Sequence, residues 1–138
     1  MSEMMSYLRA GLIGGAGVLA AMMPSLAQAQ LAVSIGGGES VRGQTETFTF
    51  QSNTAVVTGG SGSYSYLWAP VSISGLGHWS SGSGASFAPT ATIYTDCEDS
   101  TAVYAVTVTD KISGATATSN TATYYYDYYN VVYPHSCP

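Results

Sequence analysis

From Leu31 onward, polar and apolar residues trade places at every second position, in short runs that glycine interrupts. No apolar set recurs at three- or four-residue spacing, so helices are disfavoured. Residues 31–35 (LAVSI) read as a first strand, broken by Gly36-Gly37-Gly38. Residues 45–50 (TETFTF) alternate polar and aromatic side chains, and residues 55–58 (AVVT) make a short strand before a Gly/Ser turn. Residues 64–68 (YSYLW) follow, with Pro70 expected to close them. Residues 72–84 are rich in Gly and Ser and have no clear assignment. Short strands are expected at 85–87 and 91–94, and the clearest one at 102–109 (AVYAVTVT). Residues 110–114 (DKISG) form a turn, with Gly114 free to take a positive φ. Residues 115–126 are the partner strand. Seven or eight short strands separated by turns predict an all-β chain of two packed antiparallel sheets, because a single sheet would leave one apolar face wet.

The 30 residues before this pattern have a different character. Arg9 ends a short polar segment, an apolar stretch runs from Gly11 to Met23, and Pro24 breaks it. Ala27-Gln28-Ala29 then puts small residues at both key positions before a cut, the layout of a secretory signal peptide. The apolar run is shorter than the ~20 residues that a membrane span needs. The expected division is a leader over 1–29, one β-sandwich over 30–126, and a tyrosine-rich tail over 127–138. The chain from Gln30 onward is close to the ~100 residues of one sandwich domain.

Charge narrows the function further. Only 8% of residues are charged, and the net charge is −5. After the leader the basic residues are Arg42 and Lys111, against Glu39, Glu46, Asp96, Glu98, Asp99, Asp110 and Asp127. Nucleic acid and anionic lipid surfaces both require clustered Lys and Arg, so neither is an expected partner. The two cysteines, Cys97 and Cys137, fit no zinc spacing, and in an exported chain they suggest a disulfide.

Two segments carry a resemblance. Residues 59–68 (GGSGSYSYLW) are similar to the entry into the third strand of PKD-like and related bacterial and phage immunoglobulin-like domains. Residues 104–110 (YAVTVTD) with 113–119 (SGATATS) resemble the closing hairpin of the same domains, about 40 residues further on. The resemblance covers roughly residues 32–126. It implies an immunoglobulin-like, PKD-type antiparallel β-sandwich of about seven strands, with Trp68 buried between sheets and Tyr104, Val106 and Val108 on the facing wall. It also implies a binding or structural role on a secreted protein, a cell surface or a virion, with localisation outside the cytoplasm and the periplasm included. The Gly/Ser-rich residues 75–84, both cysteines and the tyrosine-rich end depart from the family pattern.

The chemistry-bearing residues do not assemble into a catalytic pattern. His78 sits in a Gly/Ser-rich segment with no nucleophile elbow nearby, and the reading is a solvated loop histidine. Asp96, Glu98 and Asp99 surround Cys97 without the spacing of a calcium loop. Gly36-Gly37-Gly38 and Gly59-Gly60-Ser61-Gly62 lack the helix and Lys of a phosphate loop. No enzyme activity, metal or cofactor is expected.

The one unusual concentration is Tyr124, Tyr125, Tyr126, Tyr128, Tyr129 and Tyr133. Tyrosine offers a large amphipathic contact area at low entropy cost. Strand alternation puts Tyr124, Tyr126 and Tyr128 on one face and Tyr125 and Tyr129 on the other, and the core can take only one set. The tyrosines, with Trp79, are the candidate contact residues. The expected partners are other proteins, with surface glycans as the alternative through ring stacking. A small secreted hydrolase or inhibitor is the third class, and it lacks a triad or metal set.

Overall fold

A computed structural model describes residues 29–130. The leader up to residue 28, the tail from residue 131, Tyr133 and Cys137 lie outside the described residues, and so do the expectations that fall on them. The described chain is all-β. Its strands are β1 (Ala32–Ser34), β2 (Ser40–Gly43), β3 (Thr47–Thr49), β4 (Asn53–Thr54), β5 (Val56–Thr58), β6 (Tyr64–Gly75), β7 (His78–Trp79), β8 (Ser86–Phe87), β9 (Thr90–Thr92), β10 (Glu98–Asp110), β11 (Thr116–Thr118) and β12 (Ala122–Tyr128). No helix among the described residues is long and apolar enough to cross a membrane.

One layer is built on β10. Antiparallel β6 runs along one side of it, from Asp110↔Tyr64 to Ser100↔Gly75. The other side carries β12 over Glu98–Tyr104 and β11 over Thr107–Thr109. β2 then joins β12 in parallel, with Arg42 level with Asp127. The facing layer consists of short pieces that continue one another. β3 pairs β9, β4 pairs β8, and Phe50 donates its N–H to Pro89 O between them. β7 adds to β9, and β1 pairs β5. The result is a β-sandwich-like stack of sheets, antiparallel except where β2 joins β12.

Aromatic rings fill the space between the layers. Trp68, Tyr104, Tyr124 and Tyr126 on the β10 layer are buried. Trp68 thus shares one wall with Tyr104, Val106 and Val108 instead of facing them as expected, because β6 pairs directly with β10. The four rings meet Phe48, Phe50, Phe87 and Trp79 from the other layer, with Phe48 stacked on Tyr126 at 5.3 Å and Trp68 tilted against Phe87 at 5.8 Å. Each such ring removes ~150–250 Å² from water, which makes this cluster the main apolar gain of folding.

Three local expectations change. Pro70 does not end its strand, and β6 runs on to Gly75. Trp68 sends its N–H and C=O away from β10, to Gly82. By alternation Pro70 points the same way, so its missing N–H costs the β10 ladder nothing. A register shift between Val103 and Tyr104 lets pairing resume at Ser72. The last strand, expected as one run, is split into β11 and β12. At the break Ser119 Oγ accepts the Val106 N–H, and Asn120 clamps Ile35 through reciprocal bonds of 2.9 and 3.0 Å. β2, within a stretch with no strand expectation, is the third change. It lies against β12 because Gly38 lets the backbone approach, since a Cβ there would stand 1.7 Å from Thr123 O.

Candidate contact surface

β12 alternates as its sequence requires. Tyr124, Tyr126 and Tyr128 point inward and are buried. Tyr124 Oη accepts from Asn53 Nδ2 at 3.0 Å, and Tyr126 Oη donates to Thr45 O at 2.5 Å. Burial raises the Tyr128 phenol above its ordinary pKa, with the charges of Glu46 and Asp96 adding to it. On the adjacent strand β10, burial pushes Tyr104 up to about 12 despite the bond its hydroxyl donates to Ser80 O. These three β12 rings belong to the core and drop out of the candidate contact set.

Tyr125 and Tyr129 face outward and stay half-buried. Tyr125 stands level with Thr101 of β10 and Ser40 of β2, and its hydroxyl donates to Asp99 Oδ2 at 3.3 Å. Partial burial, then the charges of Asp99 and Asp127, raises its pKa, so it is a neutral hydrogen-bonding ring near pH 7. Arg42 links the rest. Its Nε lies 3.1 Å from Asp127 Oδ2, and its guanidinium carbon lies 4.5 Å from the Tyr129 ring centroid. Gln44 Nε2 donates to Tyr129 Oη at 2.9 Å. Arg42 is 61% exposed, so this ion pair adds little stability. The guanidinium and the Gln44 amide together bracket the Tyr129 side chain, one at its ring and the other at its hydroxyl.

The sequence missed Arg42 as a member of this surface. It reaches Asp127 only through the parallel β2–β12 pairing, a non-local contact with no local signal in residues 40–43.

The other candidates fall elsewhere. Trp79 belongs to the opposite layer. Its ring stacks on Phe50 at 5.6 Å, and its Nε1 donates to Ser100 Oγ at 2.9 Å, so it is a core-edge residue apart from the tyrosine face. His78 is exposed as expected, but it lies in β7 rather than a loop, with its ring 5.8 Å from Tyr94. Asp96 Oδ1 accepts the backbone N–H groups of Cys97 and Asn130, so this acid organises its own turn. Among the described residues no group of three His, Cys, Asp or Glu side chains is placed to hold a metal ion. A polar cleft of about 360 Å³ opens between residues 36–39 and 51–53, with Tyr124 at its back. Its wall is organised by Asn53, which accepts the Gly36 N–H and donates to Gly36 O.

No protein-family model, curated protein or solved structure matches the chain.

Proposed function

We propose that this chain is an exported, non-catalytic module of the immunoglobulin-like, PKD-type class, working through protein contacts on a cell surface or virion. Strand order supports the fold reading. β6, β10 and β11–β12 stand where the C, F and G strands of such a sandwich would lie, opposite β1, β3–β5, β8–β9 and β7 as A, B, E and D. Trp68 then occupies the buried position of strand C. The Ala27-Gln28-Ala29 site and the even cysteine count support export.

The observation that carries the contact reading is the outward pair Tyr125 and Tyr129, held around Arg42 and Asp127 on the adjacent strands β2 and β12. Aromatic and Arg side chains are the residue types that anchor protein interfaces. Sugar stacking fits less well, because Arg42 already covers one face of Tyr129 and Trp79 packs inward.

A photo-reactive phenylalanine at position 125 tests this reading in the surface fraction of producing cells. Capture of a discrete protein from position 125, and not from exposed position 112, is the expected result. Binding on a glycan array that is lost in a Tyr125→Ser/Tyr129→Ser variant would favour the carbohydrate alternative instead.

A further inference from the structure

Among the described strands β6 forms one edge of the β10 sheet, away from the tyrosine face. Its outer side is covered at one point, where Trp68 and Gly82 exchange bonds of 2.7 and 3.0 Å. Beyond that bridge no described strand pairs the outer side of residues 71–75. The backbone there is turned outward. Val106 of β10 gives its N–H to Ser119 Oγ and its C=O to the Ser119 N–H, on the side away from β6. Ala102, four residues before Val106, points the same way. Ile73 is its partner, so the Ile73 N–H and C=O face solvent. The neighbouring side chains are apolar and bare. Val71 is 61% exposed, Ile73 49% and Leu76 59%.

Natural edges of this kind are normally blunted by charge or proline. Here no Asp, Glu, Lys or Arg occurs anywhere from Thr47 to Thr95. All the charge that gives the chain its −5 lies outside that segment. On the opposite edge of the same sheet, β2 carries Arg42. Pro70 closes off only the end next to the Trp68 bridge, and Gly75, at φ 81°, ends the strand at the other.

We infer that residues 71–75 pair antiparallel with the same residues of a second copy, joining two sheets edge to edge. Two arguments select a second copy. An antiparallel pair about a two-fold axis is its own complement: Ile73 meets Ile73, Ser72 meets Ser74, and the bulky Val71 falls opposite Gly75. The charge distribution agrees with this geometry, because two net-acidic molecules approach each other with least repulsion through their uncharged segments. The contact is isologous, so it closes at a dimer and does not propagate. It leaves Tyr125 and Tyr129 free, so it stands or falls separately from the proposed contact surface.

Sedimentation velocity of the purified protein over a concentration series tests the pairing. A monomer–dimer equilibrium is expected. Ile73→Lys places two like charges directly across the axis and, independently, Val71→Lys sets a solvated charge against Gly75 of the other copy; each should weaken the dimer by about tenfold or more. Leu67→Lys, equally exposed but lying before the Trp68 bridge, should leave the dimer intact. Hydrogen exchange should slow at the Ile73 amide as concentration rises. A wild-type monomer at all concentrations, or a dimer indifferent to both lysines, would overturn the inference.

Discussion

Asp110 and Ser61, 49 residues apart, are joined twice: the Ser61 N–H donates to Asp110 Oδ2 at 2.5 Å, and the Ser61 hydroxyl donates to Oδ1 at 2.8 Å. The same carboxylate accepts the N–H groups of Ile112 and Ser113, at 2.9 and 3.1 Å. One buried side chain therefore fixes both the Gly59–Ser63 turn and the turn after β10. The Ser61 backbone N–H leads the donors that hold its pKa down to about 2, against the opposing effect of burial. An unfolded Asp titrates near ~3.9. The folded value is the lower one, so the stabilisation is fully present above that pH and is lost as pH falls toward about 2. Asp110→Asn should lower the melting temperature near neutral pH, and the gap from wild type should close between roughly pH 4 and pH 2. Circular-dichroism melts across that range check the sign. A gap independent of pH would mean that the carboxylate charge plays no part.

Trp68 is 1% exposed and gives its indole N–H to Gly84 O at 2.8 Å. Trp68→Ala should cost roughly 3–5 kcal/mol, the usual range for a large aromatic removed from a core. Denaturant titration reads this directly, and an unchanged midpoint would contradict the packing described above.

Asn53 is buried, and its amide is shared among Gly36, Gly37 and Tyr124. Asn53→Ala strands the Gly36 N–H and the Tyr124 hydroxyl, at a cost of about 1–3 kcal/mol. The Gly36 amide should then exchange faster with solvent than the β10 amides do. Equal protection would show that the Gly36–Gly38 loop is held by other contacts.

The Cys97–Cys137 disulfide remains a proposal, since Cys137 lies outside the described residues. The register favours it, because Glu98 pairs with Tyr128 and the Asn130 N–H reaches Asp96 Oδ1. The chain after β12 thus leaves beside Cys97. Closing a loop of about 40 residues contributes roughly 4 kcal/mol on the chain-entropy model. Non-reducing peptide mapping should recover the intrachain pair, and reductant should lower the denaturant midpoint. A covalent dimer on a non-reducing gel would mean that the cysteines join chains instead.

Much of the fold was legible because its signals are local. The alternation in residues 102–109 marked the central strand and its inward residues Tyr104, Val106 and Val108, all fully buried. Glycine interruptions located most turns. The split of the β12 tyrosines into two sets followed from the two-residue period alone. Residues 72–79 were opaque for the opposite reason. Serine and glycine carry little strand preference, and residues 72–75 and 78–79 are strand here because β10 and β9 offer partners.

Which tyrosine set faces inward was beyond the sequence, because both are equally apolar and a one-residue slip exchanges them. The pairing of Glu98 with Tyr128 decides it, burying Tyr124, Tyr126 and Tyr128 and leaving Tyr125 and Tyr129 outside. The neighbourhood of that outer pair is equally a tertiary matter. Arg42 reaches Asp127 and Tyr129 because β2 docks in parallel, from 85 residues away in the case of Asp127. Periodicity and turn chemistry act between near neighbours and are written in the chain. Register and strand order depend on contacts between distant segments, and only the folded backbone brings those together.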